Sequence, residues 1–183
     1  MGTIKTTNIE PIADNGTVTL GSSGDTFTLG SGVVQSNLNY PAFEAYLSAN
    51  QSITDDTDTK IQYDTEVLDT DNCYDNSTNY RFTPTKAGKY FVYVQNSLFA
   101  LTHSTLNIVY NNIFKNGSVY KYSSFSFSNN YGRRASPIAT AIIDMNGTTD
   151  YLEVFVHIDV TSGTPRAETN TKGTYFGAYR IGT

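Results

Sequence analysis

The chain has 183 residues, a net charge of −5, 14 Tyr and 10 Phe but no Trp, and a single cysteine. That length holds one domain with a real core plus a short appendage. The acidic balance, with no run of Lys or Arg, argues against nucleic acid as a partner. No window is apolar enough to span a membrane, no apolar leader follows Met1, so no secretory signal is expected, and Cys73 alone excludes an intrachain disulfide.

Residues 1–36 hold six of the 14 glycines and no Tyr, and they read as an N-terminal arm or stalk. Pro11 and the Asn15-Gly16 turn separate residues 1–12 from the stretch GTVTLGSSGDTFTLGSG at 16–32. Within it TVTLG and TFTLG repeat nine residues apart, each a short β phrase closed by glycine. Two such phrases cannot make a stable isolated sheet. The apolar period of Val18, Leu20, Phe27, Leu29 and Val33 predicts that three chains side by side bury these residues against one another in a short stalk. A disordered arm is the alternative.

From Tyr40 onward the chain reads as closely spaced strands. Residues 42–47 open the domain, and 59–67 alternate apolar and polar over part of their length. Residues 80–83 follow, and a turn from Pro84 to Gly88 leads into a strong strand at 89–98, with Tyr90, Val92 and Val94 on one face. Strands at 106–114 and 118–127 flank Lys115-Asn116-Gly117, and Asn-Gly between two strands is a strong hairpin signal. Residues 138–144, the Asn146-Gly147 turn, 151–158 and 174–181 complete the pattern. Such spacing without a helical period indicates an all-β antiparallel sandwich or barrel.

Candidate chemistry is sparse. His157 falls in a strand pattern and reads as a packed or sheet-surface residue, and His103 stands in no catalytic motif. No GxSxG, HExxH, CxxC, Walker or GxGxxG pattern occurs, so no enzymatic activity is expected. Cys73 lies in the acidic loop DTDNCYD, where neighbouring carboxylates raise a thiol pKa and suppress reactivity. Asp55, Asp56 and Asp58 form one acidic loop; Asp69, Asp71 and Asp75 form another. Solvated loops are the primary reading. A Ca2+ site at Asp69, Asp71 and Asp75 is the alternative, because the spacing starts like an EF-hand loop, although Cys73 stands at the third ligand place. No other cofactor is expected. The aromatic stretch YKYSSFSFSNNY at 120–131 reads as core or subunit interface, or, if exposed, as a glycan- or protein-binding face.

The stretch YDNSTNYRFTPTKAGKYFVYV at 74–94 resembles the signature of C1q-like domains. Phe82, Gly88 and Tyr90 stand at the family spacing, while Val92 and Val94 occupy places where aromatics are usual. FKNG at 114–117 is similar to the family's central hairpin, MNGTTDYLEV at 145–154 to its Leu-x-x-Gly-Asp-x-Val stretch, and TYFGAYRI at 174–181 to its closing strand. The resemblance implies that residues 37–183 form the ten-stranded jelly roll shared by C1q-like and tumour-necrosis-factor-like domains, assembled as a homotrimer. It also implies Phe82, Gly88, Tyr90, Val92 and Tyr179 as signature core positions. Residues 1–36 carry no Gly-X-Y stalk and are similar instead to N-terminal segments of structural proteins of marine tailed bacteriophages.

The expectation is therefore a non-enzymatic phage virion structural protein on the virion surface, assembled in the host cytoplasm as a trimeric capsid decoration or short head fibre. It would bind other virion proteins of the capsid or tail through Ile4, Ile9, Ile12, Val18, Leu20, Phe27 and Leu29 of the arm. Aromatic faces around Tyr90, Val92, Phe155 and Tyr179 would supply core or trimer contacts. The alternative is the tip of a tail fibre that recognises a host-surface glycan or receptor through loops 55–58, 72–79 and 126–134. A secreted C1q-like adhesive protein, for which a signal peptide is expected, is the third reading.

Overall fold

The computed structural model describes residues 40–127, 129, 131–169 and 172–182, together with positions 9, 19, 21, 22, 25, 26 and 31. The chain divides into two units, Met1–Ser36 and Asn37–Thr183. In the first, Ser22 N–H donates to Asp25 Oδ2 at 2.6 Å and Asp25 N–H donates to Ser22 O at 3.0 Å, with Gly21 at φ 84°. A turn thus stands between the two β phrases. Ile9 is exposed. Ile4, Ile12, Val18, Leu20, Phe27, Leu29 and Val33 lie outside the described residues.

The second unit is built of strands, with no helix among the described residues. They are β1 (Ala42–Tyr46), β2 (Gln51–Ser52), β3 (Thr59–Lys60), β4 (Thr65–Asp69), β5 (Tyr74–Asp75), β6 (Arg81–Phe82), β7 (Gly88–Gln95) and β8 (Ser97–Ala100). Then come β9 (Leu106–Lys115), β10 (Ser118–Ser126), β11 (Arg134–Ala135), β12 (Ile138–Met145), β13 (Leu152–Val160), β14 (Pro165–Glu168) and β15 (Tyr175–Gly182). All pairings are antiparallel, in three sheets. The front sheet runs β12-β7-β15-β1-β4, the back sheet β10-β9-β13-β6-β5 with β3 also on β13, and a small end sheet β11-β8-β14-β2.

The local sequence accounts for these elements. β7 alternates Tyr90, Val92 and Val94 inward with Phe91, Tyr93 and Gln95 outward, the period-two pattern of a sheet covered on one side. Asn116 and Gly117 have φ of 52° and 79°, the left-handed pair that a two-residue hairpin turn requires. The Asn146 side chain accepts the N–H groups of Thr148, Thr149 and Asp150, so it folds the next turn back on itself. A Cβ at Gly147 would stand 2.3 Å from Ala87 N, which is why only glycine fits there.

The core lies between front and back sheets. Phe43 stacks on Tyr74 at 4.7 Å and on Phe82 at 4.4 Å, and Phe176 meets Phe43 edge-on at 4.8 Å. Val92, Val94, Ile113, Leu152, Val154 and Val156 are fully buried around this cluster.

Two sequence-predicted strands are divided. The strand expected at 89–98 breaks at Asn96, where the chain leaves the front sheet as β7 and enters the end sheet as β8. The strand expected at 59–67 is β3 on the back sheet and β4 on the front sheet, with buried Ile61 and Tyr63 in the crossing. Crossings put polar groups in the core, and a buried chain of hydrogen bonds satisfies them. Tyr63 Oη donates to Asn96 Oδ1 at 2.8 Å, Asn96 Nδ2 to Asn111 Oδ1 at 2.7 Å, and Asn111 Nδ2 to Pro137 O at 2.9 Å. Among the described residues no buried side-chain N or O lacks a partner.

Replacing Asn111 by Ala removes the acceptor of Asn96 and the donor to Pro137 at one stroke. Leaving such buried groups unmade costs about 2–3 kcal/mol. The expected outcome is a melting temperature lower by roughly 5–10 °C, read by calorimetry.

Candidate subunit interface

The outward side of the front sheet is organised in rows. Register aligns Ile142, Phe91, Tyr179 and Ala42 across β12, β7, β15 and β1. The next row holds Thr140, Tyr93, Gly177 and Glu44, and the third holds Ile138, Gln95, Tyr175 and Tyr46. Phe91 meets Tyr179 at 5.5 Å, and Tyr93 meets both Phe91 and Tyr175 at 6.2 Å. The result is a continuous, half-buried aromatic face.

Gly177 shapes this face. A Cβ there would stand 2.4 Å from Cζ and Oη of Tyr93, so the absence of a side chain lets the Tyr93 ring lie across β15. The hydroxyl then donates to Glu44 Oε2 at 2.7 Å. Burial, and next the bond to Glu44, push the Tyr93 phenol well above its ordinary pKa, so it stays a neutral donor at any working pH. A cleft of about 320 Å³ opens beside it, lined by Glu44, Tyr46, Tyr93, Lys172 and Tyr175.

A second apolar surface lies at the edges of the sheets. β12 closes one end of the front sheet and β10 one end of the back sheet. Val119, Tyr120, Tyr122 and Phe125 of β10 and Ile138 and Ile142 of β12 are each 48–57% exposed. Tyr120 Oη donates to Ile142 O at 3.3 Å, so the two edges touch there, whereas Val119 and Tyr122 face outward on the back sheet beside Tyr110. The residues from 120 to 125 that sequence reading left open between core and surface are therefore on the surface.

The family-signature residues occupy different places. Phe82, Tyr90 and Val92 are fully buried, whereas Tyr179 lies half-buried on the outward face. Gly88 has φ 143° and packs its Cα side against Gly182 O. Phe155 lies outward on the back sheet against Phe114, with ring centroids 4.4 Å apart. Phe91, Tyr93, Tyr175, Ile138 and Ile142 escaped the sequence reading. Their signal was available: β7 and β15 are apolar on both faces, which one buried side does not explain.

The remaining candidates are held in loops and turns. Asp69 accepts the N–H groups of Cys73 and Tyr74, and Asp71 accepts the hydroxyls of Tyr40 and Thr85. Asp75 accepts the N–H groups of Ser77, Thr78 and Asn79, the Thr78 bond first among those that hold its carboxyl far below the usual range. Among the described residues no three His, Cys, Asp or Glu side chains converge as a metal cage. His157 sits between Asp56 at 3.2 Å and Asp58 at 3.5 Å, over a cleft of about 360 Å³ lined by Asp58, Tyr110, Asn112, Val119 and Tyr122. No serine or cysteine shares that lining among the described residues. His103 is exposed.

This architecture is the jelly roll of the tumour-necrosis-factor and C1q folds. A tumour necrosis factor of S. frugiperda, Eiger, is 12% identical, with a TM-score of 0.54 over 78% of this chain and 92% of that one. Murine APRIL is 13% identical, with a TM-score of 0.55 over 76% of this chain and 97% of that one. The globular domain of zebrafish complement 1qA is 13% identical, with a TM-score of 0.50 over 77% of this chain and 96% of that one. No family model and no curated protein matches the sequence. At such identity the likeness is one of fold.

Cys73 gives a direct check on the loop geometry. Burial first, then Asp69, push its thiol pKa far up, so almost none is thiolate at neutral pH. In native protein, alkylation by iodoacetamide at pH 8 should be slower than in unfolded protein by at least about a hundredfold, read by mass spectrometry.

Proposed function

We propose that this protein is a non-enzymatic, homotrimeric structural module of a phage virion surface, a capsid decoration or short fibre anchored through its N-terminal arm. The observation that carries the trimer is the pair of unlike apolar surfaces on one chain, the aromatic front face, which ends at Ile138 and Ile142, and the β10 edge with Tyr120 and Phe125. Two unlike patches make a head-to-tail contact, and such contacts leave no open end only when they close into a ring. A threefold ring in which each β10 edge covers the neighbour's front face uses both surfaces in every copy. The fold resemblance supports the same arrangement.

The virion assignment rests on the arm. Its nine-residue repeat and its similarity to phage structural proteins support attachment to a larger particle, with Ile4, Ile9, Ile12, Val18, Leu20, Phe27 and Leu29 as the apolar contacts.

Ile142→Arg places a charge in the middle of the proposed contact, on a side chain already 57% exposed and therefore dispensable for the monomer fold. Sedimentation should shift from three copies to one while the circular dichroism stays unchanged. A wild-type protein that sediments as a monomer at about 100 μM would refute the trimer. For the virion role, gold-labelled antibody against the purified domain should decorate intact particles at regular surface positions in electron micrographs. Labelling confined to cell debris would refute that part alone.

A further inference from the structure

The end sheet carries a feature that neither the aromatic face nor the β10 edge uses. Register places Arg134 of β11 and Arg166 of β14 on either side of Phe99 of β8, in one row. Arg133 joins them. The three guanidinium carbons lie 4.7, 5.2 and 5.1 Å from the Phe99 ring centroid for Arg133, Arg134 and Arg166. The sequence contains five arginines, so most of them converge on one phenylalanine in a chain of net charge −5.

The local charge is not balanced. Arg134 and Arg166 share one carboxylate, the buried Glu168, with Arg166 Nη2 at 2.6 Å from Oε1 and Arg134 Nη2 on Oε2. Arg133 forms no ion pair among the described residues and is exposed. Three cations against one anion leave two positive charges within a few ångströms of one another, a local field that favours an anion. The Phe99 face and Glu168 hold the guanidinium planes, so their outer N–H edges are fixed donors of the fork geometry that fits an oxyanion.

Position adds the kind of ligand. β7 starts at Gly88 beside Gly182 and Met145, and Ala42 pairs with Tyr179 at that same end. β8 continues past the other end of β7, so the arginines stand at the pole opposite Ala42, where β1 begins. Elsewhere Lys60 pairs with Glu153, Lys115 with Asp150 and Lys89 with Asp144. No basic track extends from the cluster to follow a phosphodiester chain. An isolated pair of positive charges fits one or two oxyanions, and the exposed Leu101 and Tyr131 that border the cluster in sequence offer apolar faces to a sugar ring.

We infer that Arg133, Arg134 and Arg166 form a binding site for the carboxylate or sulfate groups of an acidic saccharide at the pole of the domain opposite β1. The site is complete in one protomer and does not rest on the trimer or the virion reading. Three copies on one assembly would add avidity without new contacts.

The test uses the full chain and calorimetric titration with five hexamers: an oligogalacturonate, a chondroitin sulfate, a neutral cello-oligosaccharide, oligoglutamate and oligo-dT. Saturable binding of the uronate or the sulfated hexamer, with none for the other three, is expected; which of the two binds tells carboxylate from sulfate. Arg133→Gln, whose guanidinium forms no ion pair, should weaken binding roughly tenfold with an unchanged melting temperature. Arg133→Gln with Arg166→Gln should abolish it. The inference is overturned by no saturable binding of either acidic saccharide at millimolar concentration, by equal binding of the neutral sugar, oligoglutamate or oligo-dT, or by undiminished binding in both variants.

Discussion

The chain of buried amides from Tyr63 through Asn96 to Asn111 fixes the rest of the domain. It sits where β7 leaves the front sheet and β8 joins the end sheet. A strand that switches sheets opens ladder hydrogen bonds in the core, and each one left unmade is costly. Asn96 and Asn111 close that gap with side-chain amides. They also tie β7 to β9 across the sandwich, because Asn111 donates to Val94 O at 3.3 Å as well as to Pro137 O. With β7 pinned, its alternation has one outcome: Tyr90, Val92 and Val94 face inward, and Phe91 and Tyr93 must face out.

The outward aromatic face follows from that register, and it is the face the proposed trimer would cover. Each half-exposed Ile, Tyr or Phe at the edges has about 1 kcal/mol of burial still to gain. Tyr120, Phe125, Ile138 and Ile142, with the face they would cover, roughly offset one association cost of about 4–15 kcal/mol. A dimer held by one head-to-tail contact is therefore marginal. The proposed closed trimer would make three contacts for two association steps, and the third would decide in favour of the ring. Closure would also cover β10 and β12, edge strands of the kind that template aggregation.

Much of this fold was legible in the residues, and the failures have physical causes. The long strands β7, β9, β10, β12, β13 and β15 were read from alternation and from Asn-Gly turns, because both signals are local. β2, β5, β11 and β14 were missed: strands of two to four residues carry too little period, and Pro165 at the start of β14 and Gly132 before β11 speak for loops. The break at Asn96 was invisible because a single polar residue in an apolar run looks like an ordinary outward position. For the candidate interface, aromatic density flagged residues 120–131 but not their side of the sheet, since facing depends on the β-bulge between Val119 and Lys121. The arginine cluster was readable only in part: loop 126–134 was named as a recognition segment, but its convergence with Phe99 and Arg166 was not. Residues 133 and 134 meet 99 and 166 only through the register of three short strands.

The two poles of the domain are chemically unlike. Loops 72–79 and 69–71 stand at the pole of Ala42, where Asp69, Asp71 and Asp75 are spent on holding backbone and hydroxyl groups in place. The hydrogen bonds hold Asp71 and Asp75 ionised, so this pole keeps negative charge. At the opposite pole Glu168 is buried and outnumbered by arginines, so positive charge is left over. A sandwich with poles of opposite charge has a direction built into a single chain. In the proposed ring the arginine poles would all point the same way, because rotation about a threefold axis cannot invert them.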